Sequence, residues 1–208
     1  GLFYSAQDSE VDGEEGKSYV WRKEELKRIL GEKEYALASP AYGFSGLPNF
    51  EGRYILHRPD SHEEVARAEG MPVDDMLRKM DAIRAKLLAE RRKRPQPALD
   101  DKSIASWNGL MIEALAYAGG VLKNDECVRM ASKAADDLLK TLRGKDGELL
   151  HVARGGKAKL DAYLDDYAAA ILGLLELHRV TGEKHWLREA DPIGNAMVER
   201  LWEPRGGF

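Results

Sequence analysis

The sequence predicts a mainly α-helical protein built from stacked helix hairpins. Three observations carry this. From residue 73 onward, apolar residues recur at helical spacing over long segments. Two consecutive helix pairs repeat with an offset of 59 residues. Within each pair the first helix is apolar nearly all round and the second is amphipathic, the signature of an inner and an outer layer. Overlaying the pairs sets Ile112 on Ile171, Leu115 on Leu174, Val128 on Leu187, Ala131 on Ala190 and Leu142 on Leu201. The turn Asp146-Gly147-Glu148-Leu149 falls on Arg205-Gly206-Gly207-Phe208.

The elements follow in order. Leu2 to Ser5 and Ser18 to Trp21 are expected as short aromatic-rich strands, with an acidic loop from Asp8 to Gly16 between them. A short helix is expected at 22–30, stopped by Gly31. Residues 39–60 hold Pro40, Gly43, Gly46, Pro48, Gly52 and Pro59 and read as loop. Ser61 with Glu64 three residues on forms a capping box that opens a second short helix.

Long helices are then expected at 73–93, 102–122, 125–142, 161–180 and 183–202. Met76, Met80, Ile83, Leu87 and Leu88 share a face of the first, which Pro95 and Pro97 end. Asp101 or Ser103 is the expected cap of the second, and Asp191-Pro192 is expected to kink or split the last. Residues 1–72 therefore read as a loop-rich insertion with short strands and two short helices, and 73–208 as hairpin repeats of one incomplete domain. Leu110, Ile112, Leu115, Ile171, Leu174 and Leu175 are the expected core of the inner helices. Gly109, Ala114, Ala168, Ala169 and Gly173 are small enough to let those helices approach closely. This layered repeat is the logic of a partial (α/α) toroid with short β-hairpins in the connecting loops. A closed six-hairpin ring at this period needs roughly 350 residues, and this chain has 208.

Composition narrows the function. The chain is 43% hydrophobic and 33% charged, with a net charge of −4 and a pI near 5.8. The one basic run, Arg91 to Arg94, closes a helix, where cations complement the dipole, so no nucleic-acid partner is expected. No apolar run approaches the eighteen or so residues of a membrane span. Cys127 is the sole cysteine, which excludes an internal disulfide and fits a reducing, cytoplasmic setting. Asp8-x-Glu10-x-Asp12-Gly13 opens like a calcium loop, but Tyr19 stands where a bidentate Glu is required. The five histidines form no ligand pattern, so neither metal nor cofactor is expected.

Six ordered phrases carry a resemblance. They are Gly1-Leu2-Phe3-Tyr4-Ser5-Ala6 with Asp8; Glu15-Gly16-Lys17-Ser18-Tyr19-Val20-Trp21; Asn49-Phe50-Glu51-Gly52 with Ile55-Leu56-His57-Arg58-Pro59; Leu99-Asp100-Asp101-Lys102; Ser106-Trp107-Asn108-Gly109-Leu110-Met111; and Tyr163-Leu164-Asp165-Asp166-Tyr167-Ala168. In this order the chain resembles the YyaL / spermatogenesis-associated protein 20 family. The resemblance implies a thioredoxin-like domain ahead of a six-hairpin toroid similar to N-acylglucosamine 2-epimerase, this chain being part of the toroid. It implies a fold rather than a reaction. No Cys-x-x-Cys occurs here to carry redox chemistry, and Gln7 stands where an acid is expected.

In such a ring a pocket forms where the inner helices begin, because helix N-termini point their polar groups there. Both inner helices begin with paired acids beside aromatics. Asp101 and Asp166, with His57, are the candidate acid–base residues. Tyr4, Asp8, Trp107, Asn108 and Tyr167 are the candidate binding residues. A carboxylate next to an aromatic face suits a sugar ring. Acids at helix starts also act as caps, and a loop histidine also bonds to backbone. The expected partner is a sugar-like small molecule, together with the remaining hairpins and the thioredoxin-like domain of a longer protein. By fold resemblance the activity would be sugar epimerase-like or glycosidase-like, with the chain by itself inactive. The alternatives are a non-catalytic scaffold for that thioredoxin-like domain and a helical-repeat surface for protein partners.

Overall fold

The computed structural model describes residues 1–207. Phe208, and with it the last position of the repeat and the turn it would begin, lies outside the described residues. In chain order the elements are β1 (Ala6–Gln7), β2 (Glu10–Val11), β3 (Glu14–Glu15), α1 (Lys23–Ala41), α2 (His62–Ala68), α3 (Val73–Arg91), β4 (Leu99–Asp100), β5 (Ser103–Ile104), α4 (Ala105–Leu122), α5 (Asp125–Leu142), β6 (Leu150–Arg154), β7 (Lys157–Asp161), α6 (Leu164–Thr181) and α7 (Lys184–Leu201). The protein is mainly α-helical, with small antiparallel sheets. Contacts gather it into two units, residues 8–98 and residues 1–7 with 99–207. This is a different division from that between loop-rich and hairpin segments at residue 72, because α3 packs with α1 and α2.

In the 8–98 unit, α1 leaves helical geometry at Gly31 (φ 66°, ψ 172°). The expected stop is therefore real, but the helix resumes and runs to Ala41, through a stretch assigned to loop from its Pro40. Trp21, Leu26, Phe44, Tyr54, Met76 and Met80 form the core. Arg94, beyond the end of α3, donates to the carbonyls of Ser18 (3.0 Å) and Val20 (2.8 Å) and to Glu25 (2.8 Å). Its guanidinium also lies 3.9 Å from the centre of the Trp21 ring. The basic run thus does more than complement a dipole: it ties down the segment before α1. That segment is no strand, since only Trp21 pairs, with Tyr54. The acidic loop is a hairpin, β2 and β3 joined by Asp12-Gly13 at φ 53° and 76°. Both turn residues are left-handed, as two-residue hairpin turns require. The capping box opens α2 as expected, Glu64 N–H donating to Ser61 Oγ and Ser61 N–H to the Glu64 carboxylate.

In the other unit α4 and α5 form one hairpin and α6 and α7 the next. The second hairpin starts and ends 59 residues after the first, at 164 against 105 and 184 against 125. The inner helices α4 and α6 lie side by side. A Cβ added at Gly109 would fall 2.4 Å from the Ala169 carbonyl carbon, and one at Gly173 would fall 2.9 Å from the Gly109 carbonyl oxygen. Ala114, expected at this contact, is instead exposed. Ala131, Ala135, Leu138 and Leu142 of α5 and Trp186, Ala190, Ile193 and Ala196 of α7 close the core from the outer side.

Three expectations are corrected here. Leu110 and Leu175 are 55% and 40% exposed, because α4 and α6 present one side to solvent, whereas Ile112 and Leu174 are buried and Leu115 and Ile171 half-buried. Of the kink or split expected at Asp191-Pro192, the split does not occur: α7 is one helix through Pro192. Leu2 to Ser5 is not a strand; pairing begins at Ala6, opposite Asp100.

Candidate functional site

The starts of the two inner helices are brought together by a small sheet. β5 leads directly into α4, and β7 leads, after two residues, into α6. β6 lies between them, with Ile104 opposite Val152 and Val152 opposite Lys159. The turn joining β6 to β7 is Gly155-Gly156, at φ 56° and 74°. Any side chain on β6 that faces the helices therefore sits at both of their N-termini.

Asp166 is at the centre of this arrangement and is fully buried. It occupies the third position of α6 and reaches back to the helix cap, where Tyr163 N–H donates to Oδ2 at 2.9 Å. Ser106 N–H, in the first turn of α4, donates to Oδ1 at 2.9 Å. His151 Nδ1 lies 2.8 Å from Oδ2, and the imidazole packs edge-on against Tyr163. Three donors on one buried carboxylate satisfy it and join both helix starts to β6. Through Asp166, His151 is thus joined to Ser106, which lines the groove described below, although neither His151 nor Asp166 itself lines it.

The other predicted residues separate. Asn108 is fully buried: Phe3 N–H donates to its Oδ1 at 2.8 Å, and its Nδ2 donates to the carbonyls of Phe3 (3.1 Å) and Ile104 (2.9 Å). It clamps the segment before β1 onto α4. Tyr167 is buried too, its hydroxyl accepting from Leu149 N–H at 3.1 Å. Neither forms a wall of a cavity, since their polar atoms are turned inward to backbone. Tyr4 is exposed beside the clamped Phe3. Asp101 is not the cap of α4, which begins after Ile104; its carboxylate accepts from Arg154 Nε at 2.6 Å on the surface. Asp8 and His57 belong to the 8–98 unit. Asp8 accepts from Glu10 N–H. His57 has Nδ1 3.2 Å from the Ile55 carbonyl and 3.4 Å from Asn49 Nδ2, and its ring lies over Gly43, where a Cβ would come within 2.4 Å of it.

Trp107 does line a cavity. Between α4 and α6, near their N-termini, runs an open groove of about 300 Å³. Its lining includes Ser106, Trp107, Leu110, Asp165 and Leu172. Trp107 is 53% exposed there. Of the paired acids, Asp165 is the one that faces the groove. Reasoning from sequence missed both Asp165 and His151. The helical period places Asp165, at one residue from the buried Asp166, on a different face; for His151 the signal was its place in the segment between the outer helix α5 and the second inner helix. The 8–98 unit has a separate cavity of about 460 Å³, lined among others by Trp21, Tyr42, Leu87, Arg84 and Arg91. Among the described residues no three His, Cys, Asp or Glu side chains gather as a metal ion would need. None of the described helices is long and apolar enough to cross a membrane.

No family model matches the chain. Spermatogenesis-associated protein 20 of Mus musculus is 29% identical over 241 aligned residues, covering 100% of this chain and 30% of that protein. The Homo sapiens protein of that name is 28% identical over 241, covering 100% and 31%. An uncharacterized protein of Caenorhabditis elegans is 27% identical over 239, covering 100% and 33%. Among solved structures, the Lin0763 protein of Listeria innocua shares 15% identity over 71% of this chain and 45% of that one, at a TM-score of 0.47. Along its whole length the chain is thus similar to spermatogenesis-associated protein 20, and it spans about 30% of the length of that relative.

Proposed function

We propose that residues 99–207 form part of the inner wall of an α/α toroid, and that the groove between α4 and α6 binds a sugar-like small molecule. The observation that carries this reading is Trp107, a large aromatic left 53% exposed beside Asp165 at the start of the inner helices. An indole face packs on the C–H face of a sugar ring, and a carboxylate accepts from its hydroxyls. Leu110 and Leu172 supply an apolar floor. The rest of such a ring, and a thioredoxin-like domain, would lie in the length of the relatives that this chain does not span. The lone cysteine supports a reducing, cytoplasmic setting.

The test is titration of the chain with glucose, mannose and N-acetylglucosamine, followed by the indole N–H resonance of Trp107. The expected result is a saturable shift with at least one sugar, lost in Trp107→Ala and weakened in Asp165→Asn. The absence of any shift, or binding that survives both substitutions, overturns the reading. A second reading, a helical-repeat surface for protein partners, is favoured by the apolar residues Met111, Tyr117, Val121 and Leu122 exposed along α4.

A further inference from the structure

We propose that His151 and Asp166 form a proton-accepting dyad, in which His151 Nε2 takes the proton of a hydroxyl on a ligand bound where α4 and α6 begin. This rests on the binding reading above and adds to it the residue that acts.

Asp166 is held from two sides by backbone N–H groups, those of Ser106 and Tyr163, so its carboxylate has one fixed orientation. The oxygens of a carboxylate accept hydrogen bonds, so the contact of His151 Nδ1 with Oδ2 runs from an imidazole N–H. His151 therefore carries its hydrogen on Nδ1, and Nε2 is left with a lone pair. Among the described residues Nε2 has no hydrogen-bond partner, and it is not one of the sealed-off orphan atoms. The His151 side chain is 25% exposed while Asp166 is fully covered. One end of the pair is thus fixed and the other open.

Its neighbours set it apart from the other histidines. His57 and His178 have Nδ1 against backbone carbonyls. His62 has its Nε2 buried without a partner. His185 lies 3.6 Å from Glu189, beyond hydrogen-bond distance. Only His151 has a buried carboxylate at 2.8 Å. The backbone at this point is also strained. Leu160 lies opposite His151 in the β6–β7 register and has φ 64°, a left-handed conformation uncommon for a leucine.

In the proposed step the O–H bond of the ligand breaks and its electron pair stays on oxygen. The proton bonds to Nε2, and the imidazolium so formed faces the Asp166 carboxylate, which stabilises it. His151 is the residue that touches the ligand; Asp166 is a positioning residue.

The experiment is ¹⁵N NMR of the histidine rings in the full chain, alone and with glucose, mannose or N-acetylglucosamine, while Trp107 reports binding. The expected result is the Nδ1–H tautomer for His151 and a shift of Nε2 that saturates with the Trp107 signal. In Asp166→Asn the tautomer preference and the ligand-dependent shift are expected to be lost. An Nε2–H tautomer in the unsubstituted chain overturns the dyad whether or not sugar binds. A Trp107 response without an Nε2 response overturns it while leaving the binding reading intact. Silence of both signals sinks the two together. The unsubstituted chain decides each of these outcomes, so misfolding of the Asn variant does not weaken the test.

Discussion

At the scale of single residues, Asp166 shows how a paired acid divides its work. Asp165 and Asp166 are indistinguishable by residue type, and the helix period settles which faces inward only once the neighbours of α6 are known. The sequence supported a polar helix start at both positions. It did not say that the partner would be His151, because that contact is created by strand pairing across the sheet. Removing the carboxylate leaves the Ser106 and Tyr163 N–H groups buried without an acceptor. Asp166→Ala is therefore expected to cost about 3 kcal/mol, the scale of a lost cap plus unsatisfied donors. Urea unfolding measures it, and a loss under about 1 kcal/mol, the scale of one ordinary hydrogen bond, would show that the site relaxes around the gap. Asp101→Ala removes only an exposed pair with Arg154 and is expected to change stability little.

At the scale of elements, what the sequence made legible was set by whether a segment's pattern comes from its own neighbours. Helix bounds from 105 to 201 follow the apolar period closely. The hairpin between α5 and α6 is one of the short β-hairpins expected in the connecting loops, whereas the one at 10–15 was read as an acidic loop; both turns, Gly155-Gly156 and Asp12-Gly13, have two residues with positive φ. The run of Arg91 to Arg94 could not disclose its target, since Ser18 and Val20 are distant in sequence. The α4–α6 contact gives the sharpest prediction at this scale. Gly109→Ala drives a methyl into the Ala169 backbone, which cannot step aside as a side chain would. A cost of roughly 1–3 kcal/mol is expected, by the usual penalty for overpacking, although alanine is the better helix former. A thermal melt no lower than that of the parent chain would contradict the close approach. The α2 cap predicts a pH effect. Hydrogen bonds from the Ser61 side chain and backbone hold the Glu64 carboxyl below its ordinary value of 4.5. A depressed folded value means that the cap's contribution is present above pH 4.5 and fades as pH falls through the lower value. Amide exchange within 62–68 should accelerate there, and should do so less in Glu64→Gln, whose side chain does not titrate.

At the scale of the molecule, the two units have separate cores, one around Met76 and Met80 and one around Ile112, Leu174 and Ile193. The repeat was legible because each hairpin buries its own apolar stripe against the next. The exposure of the inner helices was not legible, because an all-round apolar pattern states that a helix is to be covered and not by what. In this chain Leu110, Tyr117, Val121, Leu172 and Leu175 are each at least 40% exposed. An apolar surface of this kind on an otherwise acidic, charged protein is unfavourable in water, and burying it is worth about 25 cal/mol for each Å² covered. In the ring proposed above, neighbouring hairpins would cover it; in the chain by itself a second copy is the available cover. The chain is therefore expected to associate as concentration rises, with a sedimentation coefficient that grows with protein concentration. Tyr117→Lys with Val121→Glu, both at exposed positions, should reduce that association without lowering the unfolding midpoint. A coefficient independent of concentration in the unsubstituted chain would show that the inner faces of α4 and α6 stay open, and would remove the argument that they are built to be covered.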